Sequence, residues 1–194
     1  MRKLIVWNLV TLDGYFEGAK SWDIDWHETV WGEELERLSI EQAKTAGALL
    51  FGRVTYEGMA AFWPSQKGEI PDFMNSVPKF VFSRTLAKAD WNNTTLVQEN
   101  VEAEVARLKE RPGKDLFIFG SAKLVSTLPG LIDECRLCVT PVVLGGGNPM
   151  FKASPTRMPL RLLEARPLAS GGVILRYAPE HPSEVTNRTA ARST

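Results

Sequence analysis

Long apolar runs are missing from this chain, and no stretch approaches the roughly 18 consecutive apolar residues of a membrane-spanning helix. The opening MRKLIVWNLVTLDGY has a basic start, but Asn8, Thr11 and Asp13 interrupt its apolar run. It reads as a first strand rather than a secretory leader, and the expected compartment is the cytoplasm. Net charge is missing too: 23 Lys and Arg balance 23 Asp and Glu. A nucleic-acid partner, which would call for a basic face, is not expected. A few arginines still suffice to hold a phosphate. Cysteine is scarce, with Cys135 and Cys138 in a CxxC spacing. The surrounding ECRLCVTPVVL has a strand pattern, and strand positions three apart face opposite ways. The two thiols therefore cannot share a metal or a disulfide, and both are expected to be packing residues. Neither GxGxxG nor a Walker loop is present.

What is present is ordinary for a folded domain: 194 residues, 44% hydrophobic and 24% charged. A chain of that size buries a sizeable core without disulfides or metal. Residues 4–12 read as a buried strand. EELERLSIEQAKTA spaces Leu35, Leu38 and Ile40 as an amphipathic helix, with Gly47 as its stop. Strands follow at 48–52, 79–83, 94–97 and 115–120. Helices fall at VTYEGMAAFW, ended by Pro64, at NVEAEVARLKER, stopped by Pro112-Gly113, and at SAKLVSTL. CRLCVTPVVLG reads as a longer strand, and LRLLEARPLASGGVILRYAP as a hairpin turning at Ser170-Gly171-Gly172. Alternating strands and helices imply an α/β fold with a mostly parallel sheet covered on both faces. The terminal hairpin makes the sheet mixed. Residues 1–178 are expected to form one domain, and 179–194 a disordered tail.

Several strand ends carry glycine or small polar residues, and ligands of open α/β sheets bind beyond such ends. Phe51-Gly52-Arg53-Val54-Thr55 combines a bare backbone, a fixed charge and a hydroxyl that can cap the next helix. Phe82-Ser83-Arg84-Thr85 places an arginine between two hydroxyls, which suits a phosphate monoester. Phe119-Gly120-Ser121-Ala122-Lys123 leads from a strand into a helix start. Leu144-Gly145-Gly146-Gly147-Asn148 suits either an anion cradle or a sharply bent loop, with the loop favoured. Three anion-suited ends on one sheet point to an extended phosphorylated cofactor, and Arg84 to an extra phosphate. That is NADPH rather than NADH.

With these pieces assembled, the chain resembles the dihydrofolate reductase superfamily, in particular its bacterial branch related to the reductase domain of riboflavin biosynthesis. The matching motifs occur in order: Thr11-Leu12-Asp13-Gly14-Tyr15, Gly52-Arg53-x-Thr55-Tyr56, Ser83-Arg84, Gly120-Ser121-Ala122, Gly130-Leu131-Ile132-Asp133-Glu134, and Thr140-Pro141-Val142-Val143-Leu144-Gly145-x-Gly147 with Phe151. The resemblance implies a three-layer, dihydrofolate-reductase-like fold and a homodimer formed through the C-terminal strands. It implies that Gly52, Arg53 and Thr55 meet the cofactor phosphates, and that Ser83, Arg84 and Thr85 hold the 2′-phosphate end. Gly120, Ser121, Ala122, Lys123 and Leu124 would cradle the diphosphate. Main chain near Leu9 and Phe16 would meet the carboxamide, and Thr140 would floor the substrate pocket. The best-known member has glycine where this chain has Ser121.

The folate enzyme's buried helix acid has no clean counterpart in Ser21–Glu28. Asp13, Asp23, Asp25, Glu33 and Glu34 are the acids available. Asp13 is the expected catalytic group because it ends a central strand. His27 is expected in a loop or at the surface. Trp22, Trp26, Trp31 and Trp63 suit stacking on a flat substrate or packing in a core or interface; Trp22 is the one assigned to the substrate. The expected activity is hydride transfer from NADPH to a small heteroaromatic or ribityl-pyrimidine-like molecule. The alternative is a nucleotide-binding protein that kept the cradle and lost catalysis.

Overall fold

The computed structural model describes residues 1–152 and 157–180. Its first strand, β1 (Leu4–Thr11), is buried along almost its whole length. A strand enclosed on both faces needs an uninterrupted apolar run, and LIVWNLV nearly supplies one. The remaining strands are β2 (Tyr15–Glu17), β3 (Ala46–Gly52), β4 (Lys79–Phe82), β5 (Thr94–Val97), β6 (Asp115–Phe119), β7 (Glu134–Thr140), β8 (Asn148–Pro149), β9 (Leu160–Pro167) and β10 (Val173–Pro179). Eight of them form one sheet in the order β5-β4-β3-β6-β1-β7-β10-β9. Strands β5 to β7 in that order run parallel. Strand β10 pairs antiparallel with both β7 and β9. The expected mixed sheet with a C-terminal hairpin is thus observed, and Gly171 takes the positive φ of 88° that its turn requires.

The period-two alternation of β1 divides the core into two layers. Leu4, Val6 and Val10 pack with Val105 and Leu108 of α4 (Val101–Glu110) and Leu124 and Val125 of α5 (Ala122–Thr127). Ile5 and Trp7 pack with Leu35 of α1 (Glu33–Ala43), Tyr56 of α2 (Arg53–Phe62) and Met74 of α3 (Glu69–Ser76). Cys135 and Cys138 fall one in each layer, as the strand reading requires. Burial pushes their thiols up to about 11 and about 12.

Some expectations are corrected. Gly47 does not stop α1. It lies inside β3, where a Cβ would come within 2.8 Å of the Lys114 carbonyl. The strand expected through Gly145 ends at Thr140, before Pro141. Helix α3 went unread because it is short and carries Pro71, which its first turn tolerates. The two-stranded sheet of β2 and β8 was also unread. The tail does not begin at 179. Strand β10 includes Pro179, and Glu180 is buried, its N–H bonded to the Pro159 carbonyl. The rest of that expected tail lies outside the described residues.

Two buried charges tie elements together. The Lys79 ammonium is fully buried and donates to the carbonyls of Met74 (2.8 Å) and Val77 (2.7 Å) at the end of α3. Glu134 is buried and accepts from Nε of both Arg136 and Arg176, each at 2.7 Å. Burial alone would raise its pKa, but the two arginines outweigh burial and lower it.

Replacing Lys79 by Met should lower the unfolding free energy by roughly 1–3 kcal/mol, because two buried carbonyls lose their donor; chemical denaturation measures this. Glu134→Gln should cost roughly 3 kcal/mol at neutral pH by breaking a buried ionic cluster. A depressed carboxylate contributes stability above its unfolded pKa and loses it as pH falls through the folded one. Melting curves of the variant should therefore show a shallower decline below about pH 4.5 than those of the wild type.

Candidate functional site

The carboxyl ends of β1, β3, β4 and β6 open onto one cleft of about 1160 Å3. Three strand ends converge there: Gly52, Arg53 and Thr55 after β3, Ser83, Arg84 and Thr85 after β4, and the run from Gly120 to Leu124 after β6. Leu9, Phe16 and Trp22 line its inner end. Every residue expected at the cofactor therefore faces a single cavity.

Two glycines make that convergence possible. A Cβ on Gly52 would sit 2.2 Å from Ser121 Oγ, and one on Gly120 would sit 2.7 Å from Thr55 Cγ2. Gly52 thus makes room for the Ser121 side chain, and Gly120 for that of Thr55. Gly120 and Ser121 both adopt left-handed backbone, with φ of 61° and 57°. Ser121 tolerates that conformation while its Oγ accepts from Leu124 N at 3.3 Å and caps α5. Thr55 does not cap α2, as its sequence position suggested. It is the third residue of that helix, buried against Gly120, and Gly52 stands at the cap without a side-chain bond.

The rim arginines differ. Arg53 Nη1 donates to both Glu57 oxygens, at 2.8 and 3.1 Å, so its charge is shared one helical turn away. Arg84 enters no ion pair among the described residues. Beside it, Ser83 Oγ accepts from the amides of Thr85 (3.2 Å) and Leu86 (3.0 Å), which shapes the turn that presents Arg84.

The inner end rests on Trp22. Its φ is 66°, its N–H donates to Glu17 Oε2 at 3.1 Å, and its indole Nε1 donates to the Val54 carbonyl at 3.3 Å. The ring lies on the bare backbone of Gly58, where any Cβ would collide with it. Trp26 is buried, Trp31 is half-exposed, and Trp63 packs against Met59 and Phe62. Of these four tryptophans, Trp22 is the one in the cleft wall.

Asp13 and Thr140 are corrections. The Asp13 carboxylate accepts from Thr11 Oγ1 (2.6 Å), Gly145 N (2.8 Å) and Leu144 N (3.2 Å), and lies outside the cleft wall. The Thr11 hydroxyl and the loop amides lower its pKa. It clasps the glycine loop to the end of β1, which bears out the structural reading of that loop. Thr140 is buried beside Thr11 in the sheet and does not reach the cleft. Asp23, Asp25, Glu33 and Glu34 also lie outside it.

Residues that were not anticipated take the inner positions. His27, expected in a loop or at the surface, sits in the cleft wall on a 3-10 helix (Asp25–Thr29). Its ring meets Trp26 edge-on at 4.4 Å, and Nε2 is buried without a partner among the described residues. Burial lowers its pKa to about 4, so the imidazole is neutral at physiological pH. Asn8 lines the cleft from within β1. A polar residue inside an apolar strand was a visible signal for Asn8. His27 had none, because loop packing placed it.

The comparisons agree with this geometry. The chain is 35% identical over 186 residues to the uncharacterized protein YyaP of Bacillus subtilis, covering 91% of this chain and 94% of that one. Its fold matches a Thermotoga maritima diaminohydroxyphosphoribosylaminopyrimidine deaminase/5-amino-6-(5-phosphoribosylamino)uracil reductase with a TM-score of 0.67 at 16% identity, over 92% of this chain and 57% of that one. It also matches Enterococcus faecalis dihydrofolate reductase complexed with NADP(H), with a TM-score of 0.62 at 13% identity, over 92% of this chain and 97% of that one. The fold is dihydrofolate-reductase-like, and the sheet, the cleft and a family-model match over residues 2–174 lead to one assignment: this chain belongs to the RibD C-terminal domain family.

Proposed function

We propose that this protein is an NADPH-dependent reductase acting on a small heteroaromatic or ribityl-pyrimidine-like substrate. The observation that carries the reading is the convergence of three phosphate-suited strand ends on one cleft. The residues fit the cofactor. Gly52 and Gly120 let the three strand ends close on one cleft, Arg84 stands beside two hydroxyls with no ion pair among the described residues, and a buried amide donor at Asn8 lacks an acceptor among them. The NADP(H) bound to the Enterococcus dihydrofolate reductase supports the same choice.

When bound, NADPH supplies a hydride from its nicotinamide ring. Arg84 with Ser83 and Thr85 would hold the 2′-phosphate. Arg53 and the segment from Gly120 to Leu124 would hold the diphosphate, and the main chain of Leu9 and Phe16 the carboxamide. Trp22, Ile24 and Met59 give the inner end an apolar wall that excludes water from the reacting atoms. His27, neutral in that wall, offers a hydrogen bond rather than a charge to the substrate.

Fluorescence titration should show NADPH binding at least about tenfold tighter than NADH, and Arg84→Ala should remove most of that difference, as loss of a charge-assisted bond predicts. Equal, weak binding of the two would sink the reading. NADPH absorbance should then fall with at least one member of a panel of dihydrofolate, quinonoid dihydropteridine and aminopyrimidine acceptors. Tight binding with no turnover of any would favour the nucleotide-binding protein without catalysis.

His27 carries a separate expectation. A base whose folded pKa of about 4 lies below its ordinary 6.5 leaves the unfolded chain to take up the proton first. Stability should thus decline as pH falls from 6.5 towards 4. Melting of His27→Gln, which cannot titrate, should lack that part of the decline.

A further inference from the structure

We propose that Asn8 positions the nicotinamide riboside end of the cofactor, donating an Nδ2 hydrogen to a neutral acceptor oxygen there; this rests on the NADPH reading above. Asn8 interrupts an otherwise apolar central strand and is only 7% exposed. Its Oδ1 accepts from the Gly120 N–H at 2.8 Å. A backbone N–H can only donate, so this bond fixes which end of the amide is oxygen. The other end is therefore a donor. It is buried and has no partner. A buried donor left unmade is costly and calls for an explanation. Holding the Gly120 amide requires only an acceptor, so that duty leaves the second half of the side chain unexplained.

Position supplies the explanation. Asn8 is bonded to Gly120, the start of the turn assigned to the diphosphate, and is followed in β1 by Leu9, assigned to the carboxamide; all three line the cleft. On the NADPH reading the phosphates fall to the cations of the lining, Arg53, Arg84 and Lys123. A neutral amide donor suits instead the uncharged, oxygen-rich stretch between diphosphate and reacting ring: ribose oxygens or the carboxamide carbonyl. Asn8 is on this account a positioning residue, acting through the cofactor rather than on the substrate.

The test compares NADPH with 2′-phosphoadenosine 5′-diphosphate, which keeps the phosphates and lacks the nicotinamide riboside. For Asn8→Ala, NADPH affinity should fall about tenfold, the size of one lost hydrogen bond, while the fragment binds within twofold of wild type. Equal losses for both ligands, or no loss for either, overturn the proposal. A second measurement needs no substitution. In wild-type protein labelled with 15N-asparagine, the Asn8 side-chain amide pair should shift on saturation with NADPH and stay in place with the fragment. A pair unmoved by saturating NADPH, as a donor already satisfied by water would be, overturns it. Wild-type protein that binds neither ligand defeats the NADPH reading itself, and this inference with it.

Discussion

At the carboxyl ends of the parallel strands β3 and β6, two glycines make room for the side chains of Ser121 and Thr55. Gly52 faces Ser121, and Gly120 faces Thr55, with no space for a methyl group at either position. The rest of the cleft follows from that contact. It sets the start of α2 beside the start of α5 and brings Arg53 and Ser121 into the lining of one cleft. Ser121 stays left-handed because its hydroxyl caps α5 in return. A larger residue at either glycine would have to displace Ser121 or Thr55.

Four buried polar groups differ in how their hydrogen bonds are met. Lys79 and Glu134 have their hydrogen-bonding capacity met inside the protein, the first by carbonyls at the end of α3 and the second by arginines of β7 and β10. They hold elements together and have no connection to the cleft. Asn8 and His27 line the cleft, and each retains a buried nitrogen without a partner. A stable interior tolerates few such atoms. Unpartnered buried atoms also occur away from the cleft, among them Trp26 Nε1 and Thr140 Oγ1.

Much of the architecture was legible before the structure. LIVWNLV, ALLFG and DLFIF are apolar enough to be strands enclosed on both faces, and Ser170-Gly171-Gly172 marks the hairpin turn. The three strand ends that line the cleft were legible as well, because each follows a buried strand with glycine, hydroxyl or arginine. Position in the chain misled at Asp13, whose carboxylate is taken up by amides 131 and 132 residues away. It misled at Thr140, which the pairing of β1 with β7 seals inside the sheet. Helix α3, short and proline-bearing, offered too little periodicity to be seen.

Local chemistry decided the elements and the anion-suited turns, since hydrophobic periodicity and backbone freedom are properties of a few adjacent residues. Cys135 and Cys138 were assigned to opposite layers from alternation alone, and the layers bear this out. Only the tertiary structure decided which polar side chains reach the cavity. It turned Asp13 towards a loop, set His27 against Trp26 inside the wall, and left half of the Asn8 amide unsatisfied. Partnership of that kind depends on atoms brought together from distant parts of the chain, and sequence spacing carries no information about distances across a folded sheet.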